Sequence, residues 1–134
     1  MLVVRRSQLE EMVLKSPQLR VADIERHLRE FRPHVAEAYS RPYLRWVIED
    51  SVSIAMRFGI DDVQMLRVFV RLRWDIAPGF FKQPQIAAVL ANQALSAIQR
   101  FERLAEADFA AAWTDALRYD GPAEWRQRFW LEAV

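Results

Sequence analysis

The side chains best able to do chemistry are few, and their spacing argues against catalysis. His27 and His34 are the only histidines, and Pro33 between them breaks any one-face arrangement, so they read as structural. His27 sits beside the Ile24 and Leu28 stripe and is expected to edge the core. Carboxylates occur as neighbours at Glu10-Glu11, Glu49-Asp50 and Asp61-Asp62. General acid and base work needs two groups converging on one pocket, and adjacent residues on a helix point apart. Glycine is confined to positions 59, 79 and 121, which leaves no phosphate loop and no nucleophile elbow. The chain has no cysteine, which excludes thiolate chemistry, disulfides and Cys-ligated metals. The residues point to no catalytic, cofactor or metal site, and the expected function is non-enzymatic.

Trp46 and Arg73 break their local pattern and, with Trp125, are the candidate partner contacts. Trp46 falls among Glu49, Asp50, Ser53 and Arg57, opposite an apolar side formed by Leu44, Val47, Ile48, Val52 and Ala55. It is an interface anchor unless another helix covers that side. Arg73 lies among Leu66, Phe69, Val70 and Ala77, opposite the polar line of its helix. Either it is buried against an acid such as Glu49 or Asp50, or its stem lies on apolar surface and its head reaches a partner's rim. Trp125 shares a face with Phe129, beside Arg126 and Trp130, and docks on the bundle or on a partner. Phe80-Phe81, next to Pro78-Gly79, is expected to fold back into the core.

The elements that position these residues are helices. Ser7 and Glu10 have capping-box spacing for a helix to about Lys15, and Ser16-Pro17 starts a second. There Val21, Ile24, Leu28 and Phe31 form one buried stripe, with Arg26, Arg29 and Glu30 facing water. Pro33 opens a short third helix, and Ser40-Arg41-Pro42 opens a fourth that Gly59 ends. Asp61 is expected to cap a fifth helix from Asp62 to about Ala77, polar only along Gln64, Arg67, Arg71 and Asp75, with Arg71 and Asp75 paired one turn apart. Pro84 starts a further helix, with a break at Asn92-Gln93. Ile98, Phe101, Ala105, Phe109, Ala112 and Ala116 then continue the helical period to Asp120-Gly121-Pro122, and a last short helix follows. Leu2-Val3-Val4 could form an extended arm. The expectation is all-α: one domain over 1–134, a compact bundle of about six to seven helices around a central apolar helix at 62–77.

Composition fits that picture. The chain has 134 residues, and 52% are hydrophobic, so there is enough apolar surface to offset the entropy of ordering. With 19 basic and 18 acidic residues mixed along the sequence, no long-range field draws nucleic acid or anionic lipid. No apolar run approaches a membrane span and no export signal is visible, so a soluble, cytoplasmic protein is expected.

Residues 20–105 carry His27-Leu28-Arg29 with Phe31 and Pro33, Leu44-Arg45 with Ile48, Phe58-Gly59-Ile60 with Asp62-Val63, and Pro84 opening an alanine-rich helix. In this pattern the chain resembles a group of small bacterial helical proteins encoded beside type VI secretion effectors and their chaperones. The resemblance implies a protein-protein interaction module, an accessory or co-chaperone that works with an effector or its adaptor chaperone. It implies no catalytic residues. The alternatives are an immunity protein that neutralises a toxin and a small helical DNA-binding regulator. The first lacks a single-sign surface patch and the second lacks a polar recognition helix.

Overall fold

A computed structural model describes residues 6–121 and 124–125. Among these the chain is all-α, with eight α-helices, two short 3-10 turns and no strand. It divides into two compact units, 1–70 and 71–134.

The first unit holds α1 (Arg6–Lys15), α2 (Pro17–Phe31), α3 (Pro33–Ala38), α4 (Arg41–Arg57) and the start of α5 (Val63–Asp75). The Ser16 hydroxyl accepts from the Leu19 N–H at 3.3 Å and Pro17 takes the first helical position, so α2 starts where its punctuation places it. Val21, Ile24 and Leu28 are buried as the stripe requires, but Phe31 is 50% exposed. Phe31 is the last residue of α2, at the stripe's edge, and its ring lies 4.7 Å from that of His27 instead of entering the core.

Helix α4 buries Leu44, Val47, Ile48, Val52 and Ala55. It ends in a full Schellman motif: Gly59 has φ 80°, its N–H donates to the Met56 carbonyl at 2.9 Å, and the Ile60 N–H donates to Ala55 at 3.2 Å. Ile60 and Ala55 are both fully buried, which supplies the apolar contact of that motif. A side chain at Gly59 would have to adopt the left-handed conformation that only glycine takes without strain.

The cap of α5 is Asp62, not Asp61. Its carboxylate accepts from the Met65 N–H at 3.0 Å, and the helix starts one residue later than its sequence suggests. It also stops at Asp75, two residues short of Ala77. Within 62–77 only Asp75 is exposed, and Val63, Leu66, Phe69 and Val70 are buried. Full burial of Phe69 alone contributes about 2–3 kcal/mol. The expected pair of Arg71 and Asp75 forms at 3.5 Å.

The second unit contains the end of α5, a 3-10 turn (Phe80–Lys82), α6 (Pro84–Leu90), α7 (Ala97–Leu104), a second 3-10 turn (Ala107–Phe109) and α8 (Ala110–Ala116). Phe80 is fully buried, stacked on Trp113 at 5.9 Å and edge-on to Phe81 at 5.7 Å, so Phe80 folds into the core while Phe81 stays half-buried. The break at Asn92-Gln93 is present: α6 ends at Leu90 and α7 restarts behind Ser96, which forms a reciprocal capping box with Gln99.

The long stripe expected beyond that break does not persist. Ile98 is 46% exposed and Ala105 is exposed, because α7 instead buries Ala97, Arg100 and Leu104. The period restarts after the second 3-10 turn, where Phe109, Ala112 and Ala116 are buried. The Leu2-Val3-Val4 arm, the side chains of Ser7 and Glu10, Pro122 and the last helix with Arg126, Phe129 and Trp130 lie outside the described residues.

Candidate partner-binding surfaces

Two grooves open on the first unit. One, of about 590 Å³, runs between α2 and α4 and is lined by Pro17, Arg20, Val21, Val52, Met56 and Arg57 among others. The second, of about 380 Å³, is lined by Leu9, Met12 and Val13 of α1, Leu19 and Arg26 of α2, and Val63 and Arg67 of α5. They are unlike a core, because Leu9, Met12 and Leu19 of the second and Met56 of the first stand in water, although Val21, Val52 and Val63 are buried. Leu9 is 51% exposed, Met12 53%, Leu19 43% and Met56 41%. Single exposed apolar residues are ordinary, but three lining one groove form a patch of the kind that marks a contact surface. In the sequence these residues pass as helix-face apolars, and nothing in their spacing tells burial from exposure.

Polar anchoring of this unit comes from two buried carboxylates on α2 that periodicity does not reveal. Asp23 is 5% exposed and receives two bonds from Arg67, at 2.8 Å from Nε and 2.6 Å from Nη2, and Arg26 approaches at 3.4 Å. The bidentate pair ties α2 to α5. Glu25 is 4% exposed and has three guanidinium neighbours: Arg45 Nε at 3.3 Å, Arg41 Nε at 3.4 Å and Arg29 Nη2 at 3.6 Å. Burying a carboxylate without such partners costs several kcal/mol. The available sequence signal is chemical: acids at 23 and 25 inside an apolar stripe require cations elsewhere in the fold.

Trp46 is half-buried, so it is neither a freely exposed anchor nor a sealed core residue. Its ring lies 6.3 Å from Tyr43, which in turn lies 5.4 Å from Tyr39, giving an aromatic ladder along the start of α4. Ser53 and Arg57, further along its face, line the larger groove.

Arg73 follows the buried reading. It is 1% exposed and offers no surface to a partner in this structure. Its compensation comes from main-chain oxygens and rings. Nε donates to the Pro78 carbonyl at 2.8 Å and Nη2 to the Glu124 carbonyl at 3.1 Å, while the guanidinium carbon lies 4.5 Å from the Trp125 ring and 5.7 Å from that of Phe81. Glu49 and Asp50, the acids expected for it, belong to the other unit. Trp125 also lies 4.9 Å from Trp74 and is half-buried. Arg73 and Trp125 therefore contact each other, and with Lys82–Glu124 at 2.6 Å they hold the 124–125 segment against the turn after α5.

Elsewhere in the second unit a hydrogen bond from Arg103 holds the exposed Asp108 carboxyl below its usual range, and the same bond raises the Arg103 guanidinium. Among the described residues no group of three or more His, Asp or Glu could hold a metal ion, and no helix is long and apolar enough to cross a membrane. No family model, curated protein or solved structure matches this chain.

Proposed function

We propose that this chain is a non-enzymatic protein-binding domain whose contact surface is the pair of grooves on its first unit. The observation that carries this reading is the exposure of Leu9, Met12, Leu19 and Met56 along those grooves, rimmed by Arg20, Arg26 and Arg57. Apolar anchors beside arginines, with Glu49 and Asp23 also lining the grooves, suit a protein segment that buries its own apolar side chains there, and affinity in such interfaces concentrates in a few anchors. Trp46, on the α4 face that borders the larger groove, is the aromatic candidate at its edge.

The resemblance to proteins encoded beside type VI secretion effectors supports a reading in which this activity lies in the bacterial cytoplasm. There the domain acts as an accessory or co-chaperone that masks apolar surface of an effector or its adaptor until loading. The test is co-elution of the purified chain with a type VI effector-adaptor pair from the same organism. Complex formation is expected, with loss of at least tenfold in affinity for Met12→Asp or Leu19→Asp variants that keep their helical circular dichroism. Absence of a complex, or a complex indifferent to both variants, contradicts the reading.

A further inference from the structure

Arg41 and Arg45 stand one helical turn apart on one face of α4, and both reach Glu25 through Nε, at 3.4 and 3.3 Å. Contact through Nε leaves at least one Nη amine of each guanidinium on the edge away from the carboxylate, and no hydrogen bond from those amines to another acceptor is seen among the described residues. Arg29 joins the same carboxylate from α2 at 3.6 Å through one Nη. Three cations thus share one anion that is 4% exposed, leaving two positive charges in surplus. The arginine side chains are 50%, 65% and 46% exposed for Arg29, Arg41 and Arg45. Glu49, one turn beyond Arg45, continues the same α4 stripe, and among the described residues it forms no ion pair with these arginines.

An exposed arginine ordinarily loses rotamer entropy when it binds, and a buried carboxylate that already holds Nε lowers that cost. The arrangement is open, with no arginine less than 46% exposed, so no cup encloses a small ion. Two outward guanidiniums separated by about 5–6 Å, the pitch of a helix turn, match carboxylates spaced along a peptide better than a single tetrahedral anion.

We infer that Arg29, Arg41 and Arg45, oriented by Glu25, form a clamp for an acidic segment of a protein partner, a run of Asp or Glu side chains met by the guanidinium forks. This deepens the protein-binding reading by naming the partner's chemistry, and it stands on a different set of residues from the grooves.

The test uses the full chain and a hexaglutamate peptide, with hexaglutamine and inorganic phosphate as controls, followed by the Arg Nε–Hε resonances in NMR titration. Hexaglutamate should give saturable shifts at Arg41 and Arg45, weakening about tenfold as salt rises from low to physiological strength. Arg41→Gln should weaken it at least fivefold. A triple variant, Glu25→Gln with Arg41→Gln and Arg45→Gln, removes acid and cations together and keeps the interior compensated; it should abolish binding. Met12→Asp should leave peptide affinity unchanged, which separates failure of the clamp from failure of the grooves. No saturable shift, equal response to hexaglutamine, or phosphate binding as tightly as the peptide overturns the assignment.

Discussion

In the first unit the buried charges are the carboxylates of Asp23 and Glu25, set on one helix and met by arginine side chains from α2, α4 and α5. In the second they are the guanidiniums of Arg73 and Arg100, 1% and 3% exposed, met chiefly by main-chain carbonyls, with the Gln93 side-chain oxygen added at Arg100 at 3.3 Å. Arg100 donates from Nε to Asn92 at 2.9 Å and to Leu95 at 3.1 Å, fastening the loop between α6 and α7 much as Arg73 fastens the turn at Pro78 and the 124–125 segment. The difference lies in what is being held. Helices satisfy their own carbonyls, so neighbouring helices are tied by side-chain ion pairs. Turns leave carbonyls unsatisfied, and a five-donor guanidinium can collect several at once.

This contrast can be broken experimentally, and the largest effect is expected at Arg73. Arg73→Met leaves the Pro78 and Glu124 carbonyls without this donor and removes the cation from the Trp125 ring, a loss of about 3 kcal/mol from one buried and one part-buried acceptor and one cation–π contact. Urea unfolding measures it, and loss of exchange protection at the Gly79 N–H, which donates to Tyr119 at 3.0 Å, locates it. A change below 1 kcal/mol would mean that the carbonyls find other donors.

Asp23→Ala should cost about 2–3 kcal/mol by leaving the partly buried Arg67 without its carboxylate. The double variant Asp23→Leu with Arg67→Met sharpens the comparison, because removing both members of a buried pair is often nearly neutral. At least half of the single-variant loss should return. No equivalent second substitution exists for Arg73, since a main-chain carbonyl cannot be deleted.

Arg100→Met is expected to cost about 1–2 kcal/mol, less than Arg73, because the Asn92 to Leu95 loop is largely exposed and water can replace part of what is lost. The diagnostic readout is faster amide exchange at Leu95, whose N–H donates to the Asn92 carbonyl at 3.2 Å.

The smallest effect is the exposed pair of Arg103 and Asp108. The Asp108 carboxyl titrates below its usual range because of the hydrogen bond from Arg103. A carboxyl depressed in the folded state adds stability above its ordinary range and loses it as pH falls through the folded value. Carbon NMR titration should show the Asp108 midpoint rising toward the ordinary value in Arg103→Gln, with little change in unfolding near neutrality.

Much of the helical framework was legible from punctuation. Ser16-Pro17, Pro33, Gly59, Pro84 and the break at Asn92-Gln93 act through local backbone chemistry, which a single sequence carries intact. What periodicity could not supply was which side of a short helix finds a neighbour. Phe31 and Ile98 have the right spacing and face water, whereas Arg100 has the wrong chemistry for a core and is buried, because loop carbonyls reward it. The same gap explains the candidate surface. Arg73 stood out in its helix for a real reason, its burial, but its partners come from a turn and from residues 51 positions away. Leu9, Met12 and Leu19 did not stand out at all, since exposure of an apolar residue is decided by what fails to cover it.

Whether the first unit's grooves receive the proposed protein partner is read most directly from the methionine methyl groups. Met12 and Met56 each line one groove, whereas Met65 lines neither. In a methyl-labelled sample titrated with the effector-adaptor pair, the Met12 and Met56 signals should shift or broaden while Met65 stays in place. Binding that leaves Met12 and Met56 unmoved would contradict the account.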